Sequence, residues 1–283
     1  MSDQVTADDP PIVDSHAHIF TDDLPMSATA WRKLDYGFSA EEYLAQLDAH
    51  GIHFGVISGI SISGYYNDYM IEQLRRFRRL RGTAILPPTT DRYVLDQMKA
   101  DGIVGVRLQW HGRAVLPDLR SEEYQLFLRR IRDLDWHVHI ALEGERTPDQ
   151  LALLEASGVK IVIDHFGHPE PDKGADCAGF QAILRAAQRG RAWVKLSSAY
   201  RLYRTPPGEP TPDARGEGFG ERLARVLLTE VGPQRMLWGS DCPFVGFEPA
   251  VTYDDTLAAF ARWVPDARDR RTMSDTALKL YFS

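Results

Sequence analysis

Two histidines spaced i, i+2 end the apolar run Ile12-Val13-Asp14-Ser15-His16-Ala17-His18. Successive strand residues point to opposite faces, so His16 and His18 would share one face, side by side. Such a pair suits a metal or a polarised carbonyl, although His-x-His also occurs at ordinary strand ends satisfied by backbone groups. Far downstream, a second apolar run, Leu237-Trp238-Gly239-Ser240-Asp241-Cys242-Pro243, ends in a carboxylate. Asp241 can take a proton from water, while His16, His18 and His165 can hydrogen-bond a carbonyl oxygen or bind a metal that polarises it. A general base plus an activated carbonyl amounts to hydrolysis.

These residues need a scaffold that brings distant strand ends together. Eight apolar runs read as strands: Ile12 to His16, Phe54 to Ile60, Thr83 to Leu86, Val104 to Gln109, His137 to Leu142, Lys160 to His165, Ala192 to Ser197 and Met236 to Ser240. Several are near-continuous Val/Ile/Leu stretches, as expected of strands buried on both faces. Amphipathic segments lie between them, including Ser39 to His50, Tyr69 to Leu80, Ser121 to Leu134, Pro148 to Ser157, Phe180 to Arg189 and Gly220 to Val231, with Asp266 to Phe282 closing the chain. Ser39, Ser121 and Thr147 stand where N-caps would, and Gly51, Gly102 and Gly158 where left-handed terminators would. Strict strand and helix alternation predicts a (β/α)8 TIM barrel formed by residues 11–283 as one catalytic domain behind a flexible extension, 1–10. A doubly wound open sheet satisfies the same periodicity, which does not show closure. The stretch Leu202 to Gly218, rich in proline, follows the seventh strand and reads as a lid or substrate-facing arm, with an interface loop as its competitor.

In a parallel barrel the carboxyl ends of the strands converge on one mouth. The residues expected there are His16, His18, Ser61, Arg107, His111, Arg113, Glu143, Asp164, His165, Ser197 to Arg201 and Asp241. Unpartnered buried charges cost several kcal/mol, so packing alone would not gather this set. Each residue also has a plainer reading. His165 could cap its strand, and Arg107, Arg113 and Arg201 could form surface ion pairs. Asp14 and Asp164 could orient the histidines instead of reacting. His139 reads as a satisfied core histidine, and His50, His53 and His137 carry no signal. Lys195 alternates opposite to Leu196 and sits deep in its strand, which argues against a carbamylated lysine bridging two metals.

The formal charge of -7 over 283 residues argues against nucleic acid or anionic membrane as partner, since both usually need a basic face. Met1 to Pro10 has no apolar leader, and no run is long enough to span a bilayer, which points to the cytoplasm. The two cysteines, Cys177 and Cys242, have no metal or redox spacing and read as packing residues.

Asp14-Ser15-His16-Ala17-His18, Gly105-Val106-Arg107-Leu108, Val162-Ile163-Asp164-His165-Phe166-Gly167-His168-Pro169 and Trp238-Gly239-Ser240-Asp241-Cys242-Pro243 together resemble the amidohydrolase superfamily. More narrowly they resemble its lactonase branch, which includes 2-pyrone-4,6-dicarboxylate hydrolase and sugar-acid lactonases. The resemblance implies a (β/α)8 barrel in which Asp241 activates water and His16, His18 and His165 hold or polarise the lactone carbonyl. It also implies arginines on substrate carboxylates, falling here on Arg107, Arg113 and Arg201, with polar contacts from Ser61 and Tyr36. Bidentate pairing is why arginine suits carboxylates. The chain departs from the pattern at His168, where the branch often has Arg, at Cys242-Pro243-Phe244, where it has Trp-Pro-His, and at Ala141, where a tyrosine is expected. Those changes touch the substrate and leave the reaction type alone.

The leading expectation is a hydrolase that opens a carboxylate-bearing lactone without a firm cofactor requirement. Its rival is a mononuclear zinc sugar-acid lactonase or nonoxidative decarboxylase, with His16, His18, His165 and Asp241 on one zinc. A third reading is a barrel that binds an acidic metabolite without turning it over. The partner in each is a small anionic molecule, and homo-oligomerisation stays open.

Overall fold

The computed structural model describes residues 10–202 and 217–283. Eight parallel strands run in the order β1 to β8, each hydrogen-bonded to the next: β1 Val13–Ala17, β2 Phe54–Ser58, β3 Leu80–Ala84, β4 Ile103–Gln109, β5 His137–Ala141, β6 Lys160–Ile163, β7 Ala192–Leu196 and β8 Met236–Trp238. The seam between β8 and β1 closes beyond the strand ends, where Asp241 N donates to the His16 carbonyl at 2.7 Å and His18 N to the Cys242 carbonyl at 2.8 Å. Helices α1 Ala40–Ala49, α2 Asp68–Arg76, α3 Arg92–Ala100, α4 Glu122–Asp133, α5 Thr147–Ser157, α6 Ala178–Gln188, α7 Ala199–Leu202, α8 Glu217–Glu230 and α9 Tyr253–Trp263 alternate with the strands. The last helix, α10 Ala267–Tyr281, packs Ala277 and Tyr281 against Val13, Val56, Val162 and Leu237. It covers the amino-terminal end of the barrel.

Most of the expected caps form, but Thr147 is the first residue of α5 and donates its hydroxyl to the Glu143 carbonyl instead of capping, because the preceding turn already ends at Arg146. Ser39 and Glu42 make a reciprocal capping box on α1, Ser121 Oγ accepts from Tyr124 N on α4, and Gly158 ends α5 with φ +77. Around the third strand the sequence reading is displaced. The helix expected to reach Leu80 stops at Arg76, and the strand expected at Thr83 to Leu86 runs from Leu80 to Ala84. Gly82 lies within the strand, where a Cβ would come within 2.7 Å of Leu74 Cδ1 and 2.8 Å of Ile103 Cδ1. It lets α2 settle on the sheet. Helix α3 has almost no sequence signature, since Leu95 is its only buried residue. The expected lid falls almost wholly on 203–216, and the expected flexible extension on 1–9, outside the described residues. Among the described residues no helix is long and apolar enough to cross a membrane.

Candidate active site

β1 carries the first site residues through an irregularity. Val13 packs into the inner layer with Val56, Val162 and Leu237, whereas Asp14 accepts from Tyr253 OH of α9, on the helical side. Plain alternation would then send His16 outward as well. The β1–β2 register shifts between Asp14 and Ala17, and this bulge turns His16 inward beside His18, their ring centroids 5.1 Å apart. Asp14 touches neither imidazole ring. Its carboxylate accepts from Ser240 N at 2.9 Å, Ser240 Oγ at 2.6 Å and His16 N at 3.1 Å, pinning β1 to the residues that follow β8. Burial outweighs these bonds and raises its pKa.

Asp241 sits at the convergence, 2% exposed and with φ +66. Its Oδ2 accepts from Tyr200 OH at 2.7 Å and Arg201 Nε at 2.8 Å. Its Oδ1 faces His16 Nε2 at 3.6 Å and His18 Nε2 at 3.5 Å. Burial by itself would raise the Asp241 pKa, but Arg201, His18, His165 and His16 together hold it well below the usual carboxylate range. The carboxylate is charged at any working pH. His18 Nδ1 donates to the Ser58 carbonyl at 2.7 Å, which holds the ring with its Nε2 turned toward Asp241. His165, from the end of β6, has its ring 4.7 Å from that of His16 and shares a 2.8 Å hydrogen bond between Nδ1 and Ser197 Oγ. Burial pushes its pKa down to about 3, so the ring is neutral.

Behind this cluster lies a second, wholly buried one. Asp164 Oδ2 accepts from Arg107 Nε at 2.9 Å, and Asp164 Oδ1 stands 3.4 Å from His16 Nδ1 and 3.2 Å from Lys195 Nζ. Burial would raise Asp164, yet Lys195, His16 and Arg107 outweigh it and keep the carboxyl ionised. Arg107 is 4% exposed and also donates to the Gly59 carbonyl at 2.9 Å, so the surface ion-pair reading of this arginine does not hold. The remaining arginines divide. Arg201 is spent in part on Asp241 and lies over the Tyr200 and Phe247 rings, whereas Arg113 is exposed on the rim. Ser61 Oγ accepts from Trp31 Nε1, and Tyr36 OH donates to Glu248 Oε1 at 2.8 Å. Glu143 accepts from Gly112 N and Arg146, holding the loop that carries His111, whose ring stacks on His168 at 4.3 Å.

Backbone strain marks the same place. His165, Phe166, His168, Ser198, Asp241 and Phe244 all have positive φ without being glycine, and all lie just past β6, β7 or β8. Each such residue costs on the order of 1–3 kcal/mol and persists where its surroundings over-determine it. Three atoms, His16 Nε2, His18 Nε2 and Asp241 Oδ1, come from residues whose ligand atoms all lie within 4.8 Å of one another, a spacing that a divalent cation could use. His165 is outside that set. The sequence reading places Tyr200 at the mouth only as part of Ser197 to Arg201 and uses Lys195 only against a bridging carbamate, although Tyr200 adjoins Arg201 and Lys195 is a lone charge in an apolar strand.

The amidohydrolase family profile matches residues 13–282. This chain belongs to the amidohydrolase family. It is similar to a 4-sulfomuconolactone hydrolase of Rhizobium radiobacter, 29% identical over 249 residues covering 85% of this chain and 79% of the relative. It is also similar to a 2-pyrone-4,6-dicarboxylate hydrolase of Comamonas testosteroni, 26% identical with 95% and 90% covered. Among solved structures, one described as a probable 2-pyrone-4,6-dicarboxylic acid hydrolase from Acinetobacter baumannii, with citric acid bound, superposes at a TM-score of 0.88. It is 29% identical and covers 96% of this chain and 99% of its own. The fold and the amidohydrolase layout expected of the sequence are therefore those of the molecule.

Proposed function

We propose that the protein is a hydrolase that opens the ring of a small lactone carrying carboxylate or other strongly anionic groups. The observation that carries the reading is Asp241: one carboxylate oxygen is tied down by Tyr200 and Arg201, and the other stands free between the Nε2 atoms of His16 and His18. The free oxygen takes the proton of a water held between Asp241 and His18, and that water attacks the lactone carbonyl. His16 and His165 stabilise the oxyanion that develops in this dry mouth; its collapse breaks the ring C–O bond, and the departing oxygen takes back the proton held by Asp241. The clamp on Oδ2 weakens the carboxylate as a base but fixes its position, which favours attack from one direction. Arg113, with the stacked pair His111 and His168, faces the substrate's anionic groups, with Ser61 and Tyr36 nearby; Arg107 and Arg201 contribute positive potential and hold Asp164 and Asp241. One divalent cation such as zinc, held by His16, His18 and Asp241, would supply a Lewis acid for the lactone carbonyl when bound.

Both curated relatives act, by name, on lactones or pyrones that carry sulfonate or carboxylate, and the solved relative holds a tricarboxylate. A panel of lactones tests the assignment. The kcat/KM should be highest for a dicarboxylated pyrone or a sulfonated muconolactone and at least about 100-fold lower for a neutral sugar lactone, on the order of two lost charge-assisted contacts. A neutral sugar lactone as the best substrate would overturn it. Treating the same enzyme with a chelator, followed by elemental analysis, decides the metal.

A further inference from the structure

A line of buried polar groups runs through the barrel core from α10 to His16, and the proposed chemistry does not use it. His137 Nε2 lies 3.0 Å from the Leu280 carbonyl, His137 Nδ1 3.2 Å from His139 Nε2, His139 Nδ1 3.1 Å from Lys195 Nζ, and Lys195 Nζ 3.2 Å from His16 Nδ1. His137, His139, Lys195 and His16 are each 1% exposed or less. The register explains the line: His139 pairs with Val162 and Lys195 with Leu237, both residues of the inner layer, so both polar side chains point inward.

Every hydrogen bond in the line has one direction. A carbonyl only accepts, so His137 carries its proton on Nε2 and leaves Nδ1 as an acceptor. His139 must then donate from Nε2, which leaves its own Nδ1 bare toward Lys195. The other end gives the same answer independently. Lys195 stands 3.2 Å from the Asp164 carboxylate as an ion pair outside hydrogen-bonding angles, and an ammonium has three donors and no acceptor. It must donate to both His139 Nδ1 and His16 Nδ1. The only ring nitrogen of His16 left to carry the proton is Nε2, which has no hydrogen-bond partner among the described residues and faces Asp241.

We infer that Lys195, braced by His139 and His137, is a positioning residue that fixes His16 as the Nε2–H tautomer and so presets it as a hydrogen-bond donor to the reacting carbonyl. A nitrogen that carries a proton donates to oxygen and does not ligate a metal through the same atom, so the relay biases the mouth toward direct hydrogen bonding. The part of this concerning the carbonyl rests on the proposed lactone hydrolysis; the tautomer itself does not.

The test is ring 15N–1H correlation NMR on the unaltered protein labelled at histidine, with the His16 signals assigned by their loss in His16→Asn. Protonation at Nε2 of His16 is the expected result, and protonation at Nδ1 overturns the inference whatever any variant does. Lys195→Met should move the His16 proton to Nδ1, facing Asp164, and lower kcat about 100-fold with KM within about threefold, the scale of one lost oxyanion donor. Lys195→Arg, which keeps a cation with no acceptor, should restore the Nε2 pattern. A Lys195→Met protein with an unchanged His16 tautomer and full kcat also contradicts the inference. If the unaltered enzyme opens no anionic lactone, the functional reading fails while the spectrum still decides the tautomer.

Discussion

The two sides of the barrel mouth are built differently. On the side of β1, β7 and β8, His16, His18, Ser197, Tyr200 and Asp241 are buried, and most of their polar atoms are engaged by a named partner. On the side of β4 to β6, Arg113 and His111 are exposed on a loop that Glu143 and Arg146 hold by its backbone, and His168 stacks on His111. The first side is rigid and can aim charge with little reorganisation, as transition-state stabilisation requires. The second can change residues without disturbing the core. Of the departures from the lactonase pattern, Ala141 and His168 lie toward that second side, whereas Cys242-Pro243-Phe244 follows Asp241 on the first. In the proposed reading, the buried residues of the mouth set the reaction type and the exposed rim tunes substrate choice.

The comparison breaks most visibly at Asp241. Asp241→Asn keeps the size of the side chain and tolerates the left-handed backbone, so the fold should survive while kcat falls about 10³–10⁴-fold with KM little changed. Steady-state kinetics beside a thermal melt separates the two. Arg107→Met tests the buried wall by stability, because it leaves Asp164 short of a partner. A loss of about 3–5 kcal/mol, seen as a melting temperature lower by on the order of 10 °C, is expected, and a shift under 2 °C would return Arg107 to a marginal role.

Rim substitutions should read out in binding. Arg113→Met should raise KM about tenfold for a dianionic lactone, leave kcat within about twofold and change stability by less than about 0.5 kcal/mol. Equal loss of kcat and kcat/KM would instead put Arg113 with the catalytic wall. Acid should separate the walls more gently. Burial holds His165 at about 3 and His137 at about 4, below the unfolded histidine value, so the unfolded chain binds protons that the folded one refuses. Their contribution is complete above about pH 6.5 and is lost as pH falls toward 3 to 4; Asp164 and Asp241, held low, lose theirs below about 3.8. Asp14, raised by burial, works in the opposite sense. Melting temperature should fall steadily from pH 7 to 4.5, and His137→Phe should flatten part of that slope.

The alternation of eight apolar runs with capped helices was enough to read the barrel, because both signals are local. His16, His18, Asp241 and His165 were legible because each follows an apolar run. The bulge that turns His16 inward was not, since nothing in Asp14-Ser15-His16 marks where the register slips. Nor was the place of Gly82, whose lack of a side chain serves a contact with α2 that only the folded chain shows. Arg107 and Arg201 illustrate the remaining limit. Their presence at the mouth could be read, but their engagement with Asp164 and Asp241 depends on contacts between residues 57 and 40 positions apart, set only by the folded sheet.

The most direct test of the account is to follow ring opening of 2-pyrone-4,6-dicarboxylate by the loss of its conjugated absorbance, with unaltered enzyme and Asp241→Asn side by side. Saturable turnover by the first, absent in the second while its ligand binding and melting temperature persist, is the predicted result. Turnover retained by Asp241→Asn, or tight binding without ring opening by the unaltered protein, would contradict it.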